Sequence, residues 1–303
     1  MAIYMVGDFI REKRLRKGYT QEEVSFGICT TASLSRIENG LQMPGRYMLD
    51  KLMERLGYEN SVFDMFVSKE DMELYETVQE MVRNIADDDY DELEVQIAKM
   101  EELTQNAPKL EQQYLIFAKG QLKKHRGGEA KEVMDLYMQA IHITLPEFDG
   151  KTPLHQNLLT FDEITIINNI AMQYAREENF EDALRLGFWL KEYMEEKMMD
   201  GKQKAVKYPM IVYNLSNWLG DMKRFEDVLK VTDTGIDFCI RFGILSLLPK
   251  LVFNKACALA ELGDRNLAKK YFTQSVVVFE TIKQEENKRT AIDWCKEHYE
   301  IVI

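Results

Sequence analysis

The stretch from Cys29 to Gly40, CTTASLSRIENG, carries two kinds of side chain at helical spacing. Leu34 and Ile37 are three residues apart, so they would share one buried face of a helix. The other side would present small or hydrogen-bonding groups and one cation, from Thr31, Ala32, Ser33, Ser35 and Arg36. Hydroxyl and guanidinium groups can bond to base edges, and arginine can donate twice to guanine O6 and N7. The stretch therefore predicts a short helix that packs one face against the protein core and presents the other face for contacts with DNA bases.

Two of these positions leave alternatives open. Arg36 is expected to contact a base, the alternatives being a phosphate contact or a solvated surface position. Ala32 would contact a thymine methyl group, or would only avoid a clash with the duplex. Arg46 follows Pro44 closely and is a candidate phosphate contact, although a single surface arginine is usually solvated.

The residues around this helix predict a compact helical head. GDFIREKRLRKG reads as a helix stopped at Gly18, and Thr20 with Glu23 three residues later has the spacing of a capping box. After the third helix, PGRYMLDKLMERLG and NSVFDMF predict a fourth and a short fifth helix. Five short helices in about 66 residues, with a tight turn between the second and the third, indicate a helix-turn-helix DNA-binding domain.

The head resembles the phage-repressor and Cro type of helix-turn-helix family, also called XRE-like. The pieces that carry the resemblance are TQEE and SRIENG, and the turn is one residue shorter than in the commonest pattern. The form GICT in the turn is similar to the Rgg and PlcR-like branch of Gram-positive regulators. The resemblance implies base contacts by Thr31, Ala32 and Arg36, with Ser33 and Ser35 beside them. It also implies a phosphate contact by Gln21 and a partly buried ion pair between Arg14 and Glu38.

Composition sets the broad class. Apolar residues make up 46% of the 303 residues and proline only 6, which favours a folded, helical chain with room for two domains. The first 66 residues are neutral, so the net charge of −12 lies in the remainder, and an acidic remainder would repel nucleic acid. The four cysteines lack metal or disulfide spacing and are expected to be small buried side chains in a reducing cytosol.

The chain is not expected to be an enzyme, a metalloprotein or a membrane protein. No signal peptide or apolar run of membrane length is visible, so a cytoplasmic location is expected. The four histidines have no metal-ligand spacing, and no nucleophile elbow or phosphate loop is present, so no cofactor or catalytic residue is predicted.

An internal repeat follows the head. The segments 168–184, 213–229 and 253–269 align, and 116–132 is a weaker copy. Small residues recur where two helices would touch, at Ala171, Ser216 and Ala256 and again at Ala183, Val228 and Ala268. Ten or eleven helices are predicted after Glu70. The pattern resembles tetratricopeptide (TPR) repeats, although its spacings of 45 and 40 residues exceed the TPR period of about 34, which requires longer helices or extended loops.

The fold prediction is all-α, with a five-helix head over residues 1–67 and a right-handed TPR-like superhelix over 68–303. Asparagines recur on the first helix of each repeat, at Asn169, Asn214 and Asn254, with Asn168 and Asn217 beside them. Their amides could form a ladder that donates to and accepts from the backbone of an extended peptide. The alternative is that they bond neighbouring helices and only stabilise the stack.

This organisation resembles the peptide-pheromone regulators of Gram-positive bacteria (the Rgg, PlcR, PrgX and Rap group, called RRNPP). The resemblance implies a cytoplasmic homodimer that binds a palindromic double-stranded DNA operator and a short peptide ligand in a concave groove, as in quorum sensing. The alternative is a DNA-binding regulator whose repeats are a scaffold for another protein, without a peptide ligand.

Overall fold

The computed structural model describes residues 6–58, 69–103, 109–155, 157–197 and 201–303, and every regular element in these ranges is an α-helix. The head contains α1 (Val6–Arg16), α2 (Gln21–Ser25), α3 (Thr31–Glu38) and α4 (Arg46–Arg55). The predicted fifth helix, NSVFDMF, and the predicted boundary at residues 67 and 68 lie outside the described residues.

Eleven helices follow in the described ranges, which confirms the upper of the two numbers predicted. They are α5 (Lys69–Ala86), α6 (Tyr90–Leu103), α7 (Lys109–His125), α8 (Ala130–His142), α9 (Phe161–Arg176), α10 (Phe180–Glu196), α11 (Gly201–Asp221), α12 (Phe225–Phe242), α13 (Leu248–Glu261), α14 (Arg265–Thr281) and α15 (Glu285–Tyr299). No helix among the described residues is both long and apolar enough to cross a membrane.

The helix starts in the head follow their capping residues. The Thr20 hydroxyl accepts from the Glu23 N–H at 3.1 Å and the Glu23 carboxylate accepts from the Thr20 N–H at 2.7 Å, so the predicted capping box is confirmed. The side chain of Thr30 caps α3 in the same way, accepting from the Ser33 N–H at 3.0 Å. Gly7 lets α1 pack very closely on α3, because a Cβ there would lie 1.9 Å from the Ile37 carbonyl oxygen.

The chain divides into two compact units, one of Met1–Gln173 with Met198–Asp200, the other of Tyr174–Lys197 with Gly201–Ile303. In the first unit, the head packs on the start of α9 through buried charges. The Arg55 guanidinium lies 3.4 Å from the Glu163 carboxylate, and both side chains are completely buried. Lys51 bonds to Asp162 at 2.8 Å. Burial alone would lower the pKa of Lys51, but Asp162 and then Glu54 outweigh it, so that the pKa is raised and the ammonium stays charged.

The repeats share one turn. From α5 onward, seven residues between consecutive helices adopt positive φ, and the next N–H bonds to the carbonyl oxygen five residues earlier, in the Schellman arrangement. These residues are Asp88, Gly127, Glu178, Lys223, Gly243, Gly263 and Lys283. The helix–turn–helix organisation of all four aligned segments is thereby confirmed. The long repeat spacing comes from long helices, since α11 alone has 21 residues.

The small residues predicted at helix contacts are buried in the three strong copies. The corresponding small residues of the weak copy are Ala118, which is buried, and Ala130, which is exposed. Helical spacing predicts that Phe225, Val228, Leu229, Thr232, Ile236 and Ile240 share one buried face of α12. This prediction is wrong at its end, because Ile240 is 66% exposed. The buried positions run instead through Val228, Thr232, Gly235 and Cys239. Ile240 follows Cys239 by one residue, about 100° around the helix, which turns it away from that stripe.

Candidate DNA-binding surface and ligand cavity

The third helix of the head, α3, has the two faces that its sequence predicts. Leu34 and Ile37 are 0% and 1% exposed and fix the helix to the head. Thr31, Ala32 and Arg36 are exposed, and Ser33 and Ser35 are half-buried beside them. The five predicted reading residues therefore lie on α3 away from its core face, with the most accessible side chains at the N-terminal turn and one turn further on.

Arg36 is well placed to contact a base. No residue in the described ranges forms a hydrogen bond or ion pair with its guanidinium, and its side chain is exposed. An unpaired guanidinium on an exposed helix face keeps all its donors for an outside partner. A base contact by Arg36 remains a prediction, and the geometry is compatible with it.

The predicted ion pair between Arg14 and Glu38 is confirmed. Arg14 donates from Nε and Nη2 to the two carboxylate oxygens at 2.6 and 2.8 Å, and from Nη1 to the Tyr19 carbonyl at 2.9 Å. The hydrogen bond to Glu38 raises the pKa of Arg14. This pair ties α1 to the end of α3, so it fixes the orientation of α3 in the head.

The structure gives internal partners to the other two predicted DNA contacts. Gln21 donates its amide to Glu38 at 2.7 Å, which extends the ion pair to α2. Arg46 pairs with Asp50 at 3.2 Å, and its guanidinium carbon lies 5.4 Å from the centre of the Tyr75 ring. Phosphate contacts by Gln21 and Arg46 stay predictions, and each would have to share or release an internal partner.

The second unit contains a cavity of about 690 Å³ between the first helices of successive pairs, α11 and α13, and the last helix, α15. Six aromatic rings line it: Tyr213, Phe225, Phe253, Phe279, Trp294 and Tyr299. Its polar lining comprises Ser216, Asn217, Asn254, Asn287 and Thr290, and its charged lining Asp221, Lys223, Lys250 and Glu261. A volume of this size, mostly apolar with a few polar groups, is typical of a ligand site.

Two of the predicted asparagines meet in the cavity wall. The Asn254 amide nitrogen donates to the Ser216 hydroxyl at 2.7 Å and to the Asn217 amide oxygen at 2.6 Å. These bonds use both hydrogens of that nitrogen. The Asn254 oxygen and the Asn217 nitrogen have no partner in the part of the chain that the structure describes. The pair therefore offers one acceptor and one donor at the cavity wall.

The other three predicted asparagines do not line this cavity. Asn214 is only 8% exposed, one turn before the cavity pair on α11. Asn169 donates to the Thr165 carbonyl at 2.9 Å and accepts from Gln121 at 3.0 Å, so both atoms of its amide are engaged. Asn168 is 4% exposed. Peptide contacts by these three residues stay predictions. The burial of Asn168 and Asn214 and the internal bonds of Asn169 favour the structural alternative.

Sequence reasoning missed the contribution of α15. Asn287, Thr290, Ala291 and Trp294 line the cavity at helical spacing, but α15 contains no aligned copy of the repeat. The one available signal would have been the turn at Lys283, which is of the same kind as the earlier turns and is followed by another helix.

Burial raises the pKa of Cys257 in the cavity wall to about 12, which leaves it an inert thiol. Among the described residues, no group of three or more His, Cys, Asp or Glu side chains could hold a metal ion.

Comparisons with known proteins agree with this arrangement. Residues 10–59 match the helix-turn-helix family HTH_3, and residues 59–299 match the RNPP family C-terminal domain. The crystal structure of Bacillus thuringiensis PlcR in complex with the peptide PapR7 and DNA aligns with a TM-score of 0.62 at 16% identity. The apo form of the same protein aligns with a TM-score of 0.59, also at 16% identity. Both alignments cover 95% of this chain and 98% of the other chain. Comparison with curated proteins gives no match.

At this level of identity, the structural similarity establishes the fold, while the match over residues 59–299 establishes the family. The all-helical fold, with a helix-turn-helix domain ahead of TPR-like repeats, is as predicted. The two matches together identify the chain as a transcription regulator and not an enzyme. The chain belongs to the RNPP family of helix-turn-helix DNA-binding regulators.

Proposed function

We propose that this regulator binds a short peptide in the cavity of the second unit and that the peptide changes its action on a DNA operator. The observation that carries the proposal is the Asn217–Asn254 pair. Its free donor and free acceptor match the C=O and N–H that an extended peptide presents along its backbone. The six aromatic rings around the pair supply apolar pockets for side chains. PlcR, crystallised with a peptide and DNA, supports the same assignment.

The first experiment finds the ligand without assuming its sequence. The full chain is mixed with an equimolar library of random peptides of four to nine residues with free ends. Gel filtration separates the complexes, and tandem mass spectrometry sequences the retained peptides. We expect a small set of related peptides to be recovered, and a wild-type chain that retains none would contradict the proposal.

Variants then locate the site. Asn217→Ala and Asn254→Ala should each weaken binding of a recovered peptide by about 1–3 kcal/mol, because a peptide polar group loses its partner. Asn266→Ala, an exposed asparagine on α14 outside the cavity, is the matched control and should bind normally. Equal affinities of all four proteins would place the peptide elsewhere.

We propose that the head reads the operator through α3, with Arg36 as its main base contact. An operator is selected from random duplexes by the full chain, and affinities are compared at one salt concentration. Arg36→Ala should cost about 1–3 kcal/mol on the operator and less on scrambled DNA. Arg289→Ala, which removes one exposed cation from α15, is the control for charge alone. Equal losses on both DNAs would make Arg36 a phosphate contact.

The regulator would act in the cytoplasm as a homodimer on a palindromic site, because one head of this size contacts only a few base pairs. Sedimentation of the operator complex should give two chains per duplex, and one chain per duplex would contradict this.

Peptide and operator should also change each other's affinity for the protein by the same factor, whether that factor is an increase or a decrease. Independent binding would favour the alternative of a scaffold for another protein, for which the exposed side chains Ile240, Phe242 and Leu245 are available.

A further inference from the structure

We propose that the cavity binds its peptide in one direction only, with the free carboxylate at Lys250 and the free amine at Asp221 and Glu261. The inference rests on the proposed function and adds the polarity and the length of the ligand. It follows from the register of the helices that line the cavity and from where their charges lie.

The helices α11 and α13 run in the same direction with a fixed offset. The Lys250 ammonium lies 5.8 Å from the centre of the Tyr213 ring, and Asn254 bonds to Asn217. Each contact joins residues 37 positions apart, and the second lies about one turn after the first in both helices. Because the two contacts occur in the same order along α11 and along α13, the two helices must be parallel. The start of α13, with Lys250, therefore lies at one end of the cavity, and the C-terminal ends of α11 and α13 lie near each other at the other end.

The cationic end is at Lys250. This residue lies in the first turn of α13 and is half-buried. No carboxylate among the described residues pairs with it, and its ammonium lies over the face of the Tyr213 ring. The partial positive charge at the N-terminus of α13 adds to that of the ammonium. This end of the cavity therefore favours an anion, and a peptide carries one at its C-terminus.

The acidic end is at the last residues of α11 and α13, Asp221 and Glu261. Burial raises the pKa of Asp221, and no cation in the described ranges pairs with it. Lys223 also lines this end, so two carboxylates face one ammonium. The partial negative charges at the C-termini of the two helices add to this excess of negative charge. This end favours a cation, and a free peptide amine supplies one.

The distance between the two ends sets the length. Lys250 and Glu261 are 11 residues apart on α13, which is about 16 Å at the helical rise. An extended chain spans about 3.3–3.6 Å per residue, so about five residues reach from one charge to the other. Asn254, four residues after Lys250, then lies opposite the interior of the peptide, where its oxygen can accept from a backbone N–H.

The test uses a peptide recovered from the free-ended library, made in four forms: free, C-terminally amidated, N-terminally acetylated, and blocked at both ends. Each form is titrated against the full-length wild type, Lys250→Met and the double variant Asp221→Asn/Glu261→Gln. Lys270→Met, an exposed lysine of α14 outside the cavity, is the control. Operator affinity through the head verifies that each variant is folded.

We expect amidation to weaken binding to the wild type and to the control about tenfold or more, the effect of losing a charge-assisted bond. Amidation should not change binding to Lys250→Met. Acetylation should weaken binding to the wild type and leave that to the double variant unchanged. Recovered peptides should be enriched at five residues over eight or nine.

Two results overturn the inference while the proposed function stands. One is that neither block affects the wild type although the peptide binds. The other is the reverse pairing, in which Lys250→Met removes the effect of acetylation and the double variant removes that of amidation. A wild-type chain that recovers no peptide overturns the proposed function, and this inference with it.

Discussion

The substitution Arg55→Met tests whether a buried charge pair holds the head on the body of the first unit. Arg55 and Glu163 are 4% and 0% exposed, and their side chains lie 3.4 Å apart. Arg55 also donates to the carbonyl oxygens of Val24, at 3.2 Å, and Phe26, which precede the turn before α3. Methionine fills a similar space without the charge or the donors. The Glu163 carboxylate would then be buried without its cation.

Removing one partner of a buried ion pair costs about 3–5 kcal/mol. The lower end applies here, because Glu163 also accepts from the Thr160 N–H at 2.6 Å and is thereby partly stabilised. For a unit of this size, about 3 kcal/mol lowers the melting temperature by roughly 6–12 °C. The double variant Arg55→Met/Glu163→Gln removes the buried charge and keeps an acceptor for Thr160. It should therefore lose only about 1–2 kcal/mol relative to wild type.

The measurement is thermal and urea unfolding followed by far-ultraviolet circular dichroism. Tryptophan fluorescence is a poor probe of the first unit, because Trp189, Trp218 and Trp294 all lie in the second. Arg126→Met is the control, since it breaks an exposed pair with Glu94 and should change stability little. The reasoning fails if Arg55→Met is no worse than the control, or if the double variant is no more stable than the single one.

The remaining predictions concern close packing and the thiols. Gly7→Ala should destabilise the head and abolish operator binding, because the new Cβ meets the Ile37 carbonyl oxygen at 1.9 Å and backbone cannot move aside. A Cβ at Gly220 would meet no atom within 4 Å, so Gly220→Ala should leave the melting temperature unchanged or raise it. At pH 8, Cys257 and Cys295 should react with iodoacetamide roughly a thousandfold more slowly than a free thiol, because burial raises their pKa to about 12. Mass spectrometry should show their rates rising about tenfold per pH unit, and equal rates in native and urea-unfolded protein would refute the burial argument.

The head could be predicted in detail because its signals are local. The capping box of Thr20 and Glu23 and the two faces of α3 each depend on residues within one or two helical turns. No comparable local signal marks Arg55, because its partner lies 108 positions away. A charged side chain on a short amphipathic helix reads as a solvated surface residue until the tertiary structure buries it.

The body illustrates a different limit. The repeat could be recognised because small residues must recur wherever helices touch, and their burial in the strong copies follows from that constraint. The prediction for Ile240 was wrong because periodicity specifies a stripe only to within about one residue. One position around a helix is about 100°, enough to move a side chain from a neighbouring helix into solvent.

The asparagines show why a recurring residue does not by itself identify a binding site. Asn169 and Asn254 occupy one repeat position, yet among the described residues only Asn254 has an amide atom, its oxygen, without any partner. Asn169 uses its nitrogen on the Thr165 carbonyl of its own helix and its oxygen on Gln121 of α7. Asn254 uses only its nitrogen, because the parallel register with α11 brings Asn217 and Ser216 opposite that one atom. Asparagine therefore forms internal structural bonds in one repeat and keeps a hydrogen-bond acceptor available for a ligand in another. The offset of 37 residues between α11 and α13 decides between these two roles. This offset depends on the lengths of α11 and α12 and on the turns around them. It therefore cannot be derived from the side-chain spacing within one repeat.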